Sequence, residues 1–197
     1  MKEHWNNRFN TEKYIFGTKP NEFFKSEIDK ITPGRALFIA GGEGRNAVYA
    51  AKLGWQVDII DYSEVAKNKA LNLAKENNVL INYQINDVFK FQFPSNFYDL
   101  IVNINFHCYE DTREDFNKKI ITALKPNGKV ILQVFDKEQI KKNSGGPKDI
   151  SLLYSLEDIV NGFYDLEFEY FTKETDLRFM DGEKKESVVI RFVGEKI

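Results

Sequence analysis

Three glycines in four positions, Gly41, Gly42 and Gly44, separate the apolar run Arg35-Ala36-Leu37-Phe38-Ile39-Ala40 from a helix-forming stretch that opens at Arg45. A chain that leaves a strand and enters a helix so quickly must bend sharply, and glycine supplies the backbone angles for that bend. The short, wholly apolar run before the turn reads as a strand buried on both faces. The next strand, Val57 to Asp61, ends in an acid 19 residues beyond Gly42. Strand, glycine turn, helix, strand and terminal acid together specify an open α/β sheet. Such a sheet gathers its ligands at the carboxyl ends of its strands.

The rest of the chain repeats the same alternation. The first helix is expected from Arg45 to Leu53, stopped by Gly54. Ser63 caps a helix to about Asn77, with Ala66, Ala70, Leu73 and Ala74 as its apolar stripe. Strands follow near Ile81 to Ile85, ending at Asn86-Asp87, and from Tyr98 to Asn103. A helix from Thr112 to Leu124 carries Phe116, Ile120 and Leu124 on one face. Lys125-Pro126-Asn127-Gly128 reads as a turn into a strand from Lys129 to Phe135. Lys137 to Ile150 reads as a polar loop containing Gly145-Gly146-Pro147. Ser155 to Asp158 reads as a capping box opening a helix to Phe163. Tyr164 to Thr172 and Glu186 to Val193 read as an antiparallel strand pair with Asp181-Gly182 at its turn. The expected fold is three-layer α/β, Rossmann-like, with a mostly parallel seven-strand sheet finished antiparallel. We expect one domain over 1–197: a helical segment at 1–30, a core at 34–136, and a loop and hairpin at 137–197.

Composition excludes several functions. The 197 residues carry a formal net charge of −2, with no basic track, so neither nucleic acid nor an anionic membrane is an expected partner. No apolar run approaches the roughly 20 residues of a membrane span, and MKEHWNNRFN lacks a signal-peptide core. The single cysteine, Cys108, forms no internal disulfide, in keeping with a reducing compartment, and a cytoplasmic location is expected. His4 and His107 form no ligand-spaced cluster with Cys108, so no metal site is expected. Oligomeric state is not encoded in any pattern seen here.

Two cofactor chemistries pass the local test. Gly42-Glu43-Gly44-Arg45-Asn46-Ala47 satisfies G-x-G-x-x-A, and Asp61 stands where a ribose-binding acid belongs, so a nicotinamide dinucleotide remains an alternative. Downstream features separate the two. Asp87 ends the third strand, where it either accepts from an adenine amine or is a polar strand end that caps a helix. The antiparallel finish disfavours two parallel dinucleotide-binding halves.

AGGEGRNAVYAAKLGWQVDIIDYS resembles the cofactor segment of class I methyltransferases, in particular the small tellurite-resistance and thiopurine type. WNNRF and YIFGTKPNEFF, from Trp5 to Phe24, are similar to the aromatic N-terminal segment of that group. NINFH at 103–107, LKPNGKVIL at 124–132 and GGPKDISLLY at 145–154 also match by type and order. The resemblance implies S-adenosylmethionine as cofactor and a small-molecule methyl acceptor. It implies that the turn Ala40-Gly41-Gly42-Glu43-Gly44, with Arg45 and Asn46, cradles the cofactor. Gly42 and Gly44 would let the backbone approach the methionine part and the ribose. Asp61 would hold the ribose hydroxyls, with Tyr62 or Ser63 beside the adenine. Asp87 and Val88 would bound the adenine. Arg8, Tyr14 and Gly17 would belong to a lid over the methionine end. Asn103 would present oxygen to the cofactor's amino group.

Two positions depart from that group. Phe38 stands where an acid usually precedes the loop, and Ala40 stands at the first glycine, a small cost where φ is negative. Glu43 either compensates in part or points to solvent. Phe38 therefore leaves open a non-catalytic cofactor binder as well as an enzyme.

Methyl transfer needs a positioned nucleophile and excluded water. It needs a base only for a poorly acidic acceptor, so a soft or anionic acceptor is expected, a thiolate or a reduced chalcogen oxyanion. His107 is the catalytic candidate, to orient an acceptor or take a proton; the competing reading is a hydrogen-bonded structural histidine. Cys108 reads as a small buried side chain rather than a nucleophile. Arg113, in a helix's first turn, reads as exposed, although it is suited to an anionic acceptor. Phe23 and Phe24 read as docking a terminal helix, and Trp5, Tyr14 and Phe16 as lid residues. The Gly145-Gly146-Pro147 loop is either a wall of the acceptor site or an ordinary connection.

Overall fold

A computed structural model describes residues 2–180 and 183–197. The expected turn at Asp181-Gly182 lies outside the described residues. The sheet is seven-stranded and mixed, as the alternation of elements and the antiparallel finish predict. The chain divides into two compact units. The first runs through Gln92 and takes in Phe97–Ile104; the second comprises Phe93–Asn96 and Asn105–Ile197.

In the first unit, helices α1 (Lys2–Phe9) and α2 (Glu22–Ile28) precede strand β1 (Arg35–Ile39). Phe23, Phe24 and Ile28 are buried, so α2 docks through the aromatic pair expected to do so. Helix α3 (Arg45–Lys52), strand β2 (Gln56–Asp61), helix α4 (Glu64–Glu76), and strands β3 (Asn82–Ile85) and β4 (Tyr98–Ile104) follow. Strand β1 pairs in parallel with β2 on one side and β4 on the other, and β2 pairs in parallel with β3. The chain thus builds outward from β1 in one direction, then returns to its other side. That reversal leaves a crevice at the carboxyl end of β1, where the glycine turn lies. Ser63 caps α4 by accepting from Ala66 N–H, and the stripe Ala66, Ala70, Leu73 and Ala74 is buried. Gly54, at φ 95°, ends α3 in the left-handed conformation.

The second unit contains helix α5 (Glu110–Ala123), strand β5 (Leu124–Phe135), helix α6 (Leu156–Phe163), and strands β6 (Leu166–Met180) and β7 (Glu183–Lys196). Strand β7 runs antiparallel to both β5 and β6. Phe116 and Ile120 of α5 are buried, and Phe163 of α6 stacks on Phe192 of β7 at 5.2 Å. The capping box of α6 is present, with Ser155 accepting from Asp158 N–H and Asp158 accepting from Ser155 N–H.

Three local expectations change. Lys125 to Gly128 is drawn into β5, although Asn127 keeps a turn-like φ of 63° and pairing with β7 starts only at Lys129. The polar stretch 137–150 contains a 3-10 helix, Lys137–Lys141, capped by Asp136, and a second follows at Ile150–Leu152. The β6–β7 ladder extends well beyond the apolar segments, because charged side chains sustain it. Arg191 bridges Glu174 at 3.0 Å and Asp176 at 3.4 Å.

Among the described residues, no helix is long and apolar enough to cross a membrane.

Candidate functional site

The glycine turn is locked to the end of the neighbouring strand by one carboxylate. Asp61 Oδ2 accepts from Gly42 N–H at 3.0 Å, and Oδ1 accepts from Ser63 N–H at 2.9 Å. Asp61 is only 6% exposed, and that burial raises its pKa despite the backbone donors. A carboxylate offers about four lone-pair sites, so these two bonds leave room for a further donor. On the other side of the turn, Tyr83 of β3 donates its hydroxyl to Gly42 O at 3.1 Å. Gly42 is thereby held through both its amide and its carbonyl. Sequence reading missed Tyr83, the buried residue of β3; the apolar alternation Ile81, Tyr83, Ile85 signals its burial but not its partner.

The glycines serve different purposes. A Cβ on Gly41 would lie 2.6 Å from Ile59 Cγ2, and one on Gly44 would lie 2.7 Å from Ala70 Cβ. These two allow close packing against β2 and α4. Gly42, at φ 53°, and Gly44, at φ 85°, also take left-handed angles, and Gly44 is the N-cap of α3. Ala40 does not keep the negative φ under which alanine costs little: its φ is 47°. A residue with a Cβ is strained there by roughly 1–2 kcal/mol. Phe38 packs edge-on against Phe24 at 5.6 Å, so this position serves the core beneath the turn.

Beyond Asp61 lies a row of polar strand ends. Burial, then Asp61 and Asp87, push the Tyr62 hydroxyl up to about 12, which places Tyr62 in the field of both acids. Asp87 accepts from Phe89 N–H at 3.0 Å and so caps the turn after β3, while Val88 is buried. Asn103 is buried near the end of β4, in register with Ile39 of β1.

The N-terminal segment lies over this turn. A Cβ on Gly42 would meet Phe9 Cζ at 3.5 Å, and Ser63 donates its hydroxyl to Asn6 Oδ1 at 2.6 Å. Trp5 stacks on Phe9 at 5.4 Å, and the Arg8 guanidinium sits over Trp5 and Phe16 at 5.1 and 5.5 Å. Gly17, at φ 69°, donates its N–H to Tyr14 O. Arg45 Nη1 donates to Phe16 O at 2.8 Å, and Asn46 Oδ1 accepts from Asn21 N–H at 2.8 Å. In this structure those two residues hold the segment that covers the turn. Glu43 does not point to solvent: it is 4% exposed, Oε1 accepts from Lys69 Nζ at 2.6 Å, and Oε2 accepts from Ile15 N–H at 2.9 Å.

In the second unit, His107 Nε2 accepts from Phe135 N–H at 3.0 Å, and the imidazole stacks on the Phe135 ring at 5.5 Å. An accepting Nε2 puts the ring proton of neutral imidazole on Nδ1. Cys108 is buried, and burial pushes its thiol up to about 12. Arg113 departs from its expected exposure. It is 4% exposed, donates to Cys108 O, Ser151 O and Leu153 O at 3.1–3.2 Å, pairs with Asp158 at 2.9 Å, and lies 3.6 Å over the Tyr154 ring. The Gly145-Gly146-Pro147 loop is fastened by Gln139, which donates to Ser144 Oγ and Gly145 O.

Residues 37–132 match a family described as a methyltransferase domain. No curated protein sequence matches the chain. Among solved structures, a protein from work on the conversion of a disulfide bond into a thioacetal group during echinomycin biosynthesis superposes with a TM-score of 0.80 at 15% identity. It covers 100% of this chain and 92% of its own. TehB from Haemophilus influenzae gives 0.77 at 16% identity, over 100% of this chain and 67% of that one. The N-methyltransferase NodS from Bradyrhizobium japonicum WM9, in complex with S-adenosyl-L-homocysteine, gives 0.71 at 13%, over 98% and 97%. At these identities the likeness is one of fold. Residues 37–132 are thus similar to a methyltransferase domain, and the solved neighbours share the fold.

Proposed function

We propose that this chain transfers the methyl group of S-adenosylmethionine to a small, soft or anionic acceptor, a thiolate or a reduced chalcogen oxyanion. The methyl donor is S-adenosylmethionine. It supplies a carbon activated by a positive sulfonium. The observation that carries the reading is the carboxylate of Asp61, which clamps Gly42 while retaining acceptor capacity at the crevice beside β1. Asp61 would accept from the ribose hydroxyls, and Tyr62, Asp87 and Val88 would border the adenine. Asn103 would accept from the amino group. Arg8, Tyr14 and Gly17 would cover the methionine end, with Arg45 and Asn46 holding that cover in place. The turn from Ala40 to Gly44 would bring backbone amides against the cofactor.

The acceptor class is supported by the state of the two groups that follow β4. His107 Nε2 is engaged by a backbone N–H, and the Cys108 thiol is held protonated by burial. Neither is poised to strip a proton from a weakly acidic hydroxyl, whereas an acceptor that arrives as an anion needs no such step.

Calorimetry with S-adenosylhomocysteine and with NAD tests the cofactor. Binding of the former alone is expected, and binding of NAD alone would remove the proposal. Turnover on thiol, selenite, catechol and amine panels tests the acceptor. Methylation confined to catechols or amines would overturn the soft-acceptor assignment. Cofactor binding without turnover on any panel would favour the non-catalytic binder that Phe38 leaves open.

A further inference from the structure

One buried ion pair joins the glycine turn to α4, beneath the N-terminal segment. Glu43 lies between two left-handed glycines, Gly42 and Gly44, so the backbone of the turn itself aims its carboxylate inward. Its partner is Lys69 on α4, at 2.6 Å, and the two side chains are 3% and 13% exposed. Neither ion is satisfied by the other alone. Lys69 Nζ also donates to Phe9 O at 3.1 Å and Lys13 O at 2.8 Å, and Glu43 Oε2 also accepts from Ile15 N–H. Tyr14 closes the arrangement: its ring lies 5.2 Å from Lys69 Nζ, and its hydroxyl donates to Lys69 O at 3.0 Å.

The division of labour is asymmetric. Glu43 and Lys69 both belong to the α/β framework and remain paired wherever the N-terminal segment goes. The segment contributes the Tyr14 side chain and, to the two charged groups, backbone bonds at Phe9, Lys13 and Ile15. These three bonds to charged groups are stronger than neutral ones, yet water can replace each of them when the segment lifts. Burial of two ions would be a poor way simply to stabilise a fold, since well-packed apolar side chains often do as well. A preformed pair that presents a donor and an acceptor to a removable strap is instead suited to opening and closing.

We propose that Glu43 and Lys69 are positioning residues: a fixed catch to which residues 9–15 fasten, which thereby sets how fast S-adenosylmethionine enters and leaves the crevice beneath. The proposal rests on the cofactor reading above. The first readout below needs no cofactor, so the two can fail separately.

Hydrogen exchange at the Ile15 amide and trypsin cleavage after the exposed Lys13 report closure of the strap. Glu43→Gln and Lys69→Gln are each expected to raise both rates about tenfold, with exchange in β1, β2 and α4 unchanged. Lys69→Arg, which retains the charge and the donors, is expected to stay near wild type. Unchanged protection in both glutamine variants would overturn the catch. Stopped-flow dissociation of S-adenosylhomocysteine and steady-state kinetics report gating. Faster dissociation and a raised KM for the cofactor, with kcat not reduced, are expected. A lowered melting temperature with dissociation and KM unaltered would reduce the pair to a structural role and overturn the proposal. Should Glu43→Gln fail to fold, the comparison of Lys69→Gln with Lys69→Arg decides alone. In the wild-type protein, added S-adenosylhomocysteine should slow exchange at Ile15, and unaltered exchange in the bound protein would count equally against it.

Discussion

Asp61 grips Gly42 across the boundary between two strands: a carboxylate at the end of β2 accepts the amide of the turn that follows β1. The geometry of the glycine turn thus depends on a charge 19 residues away. Asp61→Ala removes that charge together with the acceptor for Ser63 N–H. Cofactor affinity is expected to fall more than tenfold, or about 1.4 kcal/mol and above. Calorimetry with S-adenosylhomocysteine checks this, and wild-type affinity in the variant would discount the ribose role.

The same carboxylate predicts a pH dependence. Burial raises the folded-state pKa of Asp61 above 3.8. On acidification the folded state therefore takes up this proton before the unfolded chain does. The stability linked to Asp61 is fully present below pH 3.8 and is lost as pH rises through the raised folded value. Cofactor binding has the opposite sign, because only the carboxylate accepts from two backbone amides and a hydroxyl together. Affinity should begin to fall while pH is still above 3.8, by up to about tenfold per pH unit. The Asp61→Asn variant should bind more weakly but without that titration, and an identical pH profile in both proteins would assign the titration to another group.

Much of the fold was legible because its signals are local. Ser63 and Ser155 stand where a side-chain oxygen must cap a helix, and the glycines stand where the backbone turns left-handed. Asp61 was legible because its distance from the turn is set by one helix and one strand. What escaped was made by residues distant in sequence. Tyr83 reaches Gly42 across 41 positions, Lys69 reaches Glu43 across 26, and Arg113 meets Leu153 across 40. No periodicity encodes such pairs. The hairpin was read too short for a different reason: apolar alternation gives out before the ladder does, and Arg191 with Glu174 and Asp176 carries it on.

Ala40 and Gly44 make a pair of substitutions with opposite signs. Ala40→Gly relieves a strained left-handed alanine, worth about 1–2 kcal/mol, and loses about 0.5–1 kcal/mol to unfolded-state entropy. A net gain of about 0.5–1 kcal/mol is expected. Gly44→Ala imposes that strain and also drives a methyl to 2.7 Å from Ala70 Cβ, so α3 and α4 must separate. A loss of about 2–4 kcal/mol is expected. Urea unfolding of both variants checks the signs, and a stabilising Gly44→Ala would contradict the packing described here.

Arg113 predicts a large stability effect without direct involvement in binding. Its guanidinium serves three carbonyls, one carboxylate and one aromatic face from a buried position. Arg113→Ala leaves Asp158 without this partner and the carbonyls of residues 108, 151 and 153 short of a donor. The expected cost is about 3–5 kcal/mol. Arg113→Lys should recover little of it, because an ammonium cannot match the planar fork or its stacking on Tyr154. Chemical denaturation of both variants, with cofactor affinity measured alongside, separates this from a binding role; a stable Arg113→Ala protein would return Arg113 to the list of candidate acceptor ligands.

His107 tests the choice between base and brace. If the imidazole braces Phe135 N–H, His107→Ala leaves a buried donor unsatisfied and costs about 1–3 kcal/mol of stability. Stacking on the Phe135 ring is lost as well. With a thiolate or oxyanion acceptor, turnover at a temperature where the variant is folded should then fall by less than about tenfold, since no proton is removed in the transfer. The measurement is kcat at saturating cofactor across a range of pH, beside a melting curve for each protein. A general base gives the reverse pattern: about 10²-fold or more lost in kcat, a flattened pH profile and a nearly unaltered melting temperature. That outcome would make His107 a catalytic residue and move the expected acceptor from preformed anions to hydroxyls or protonated amines.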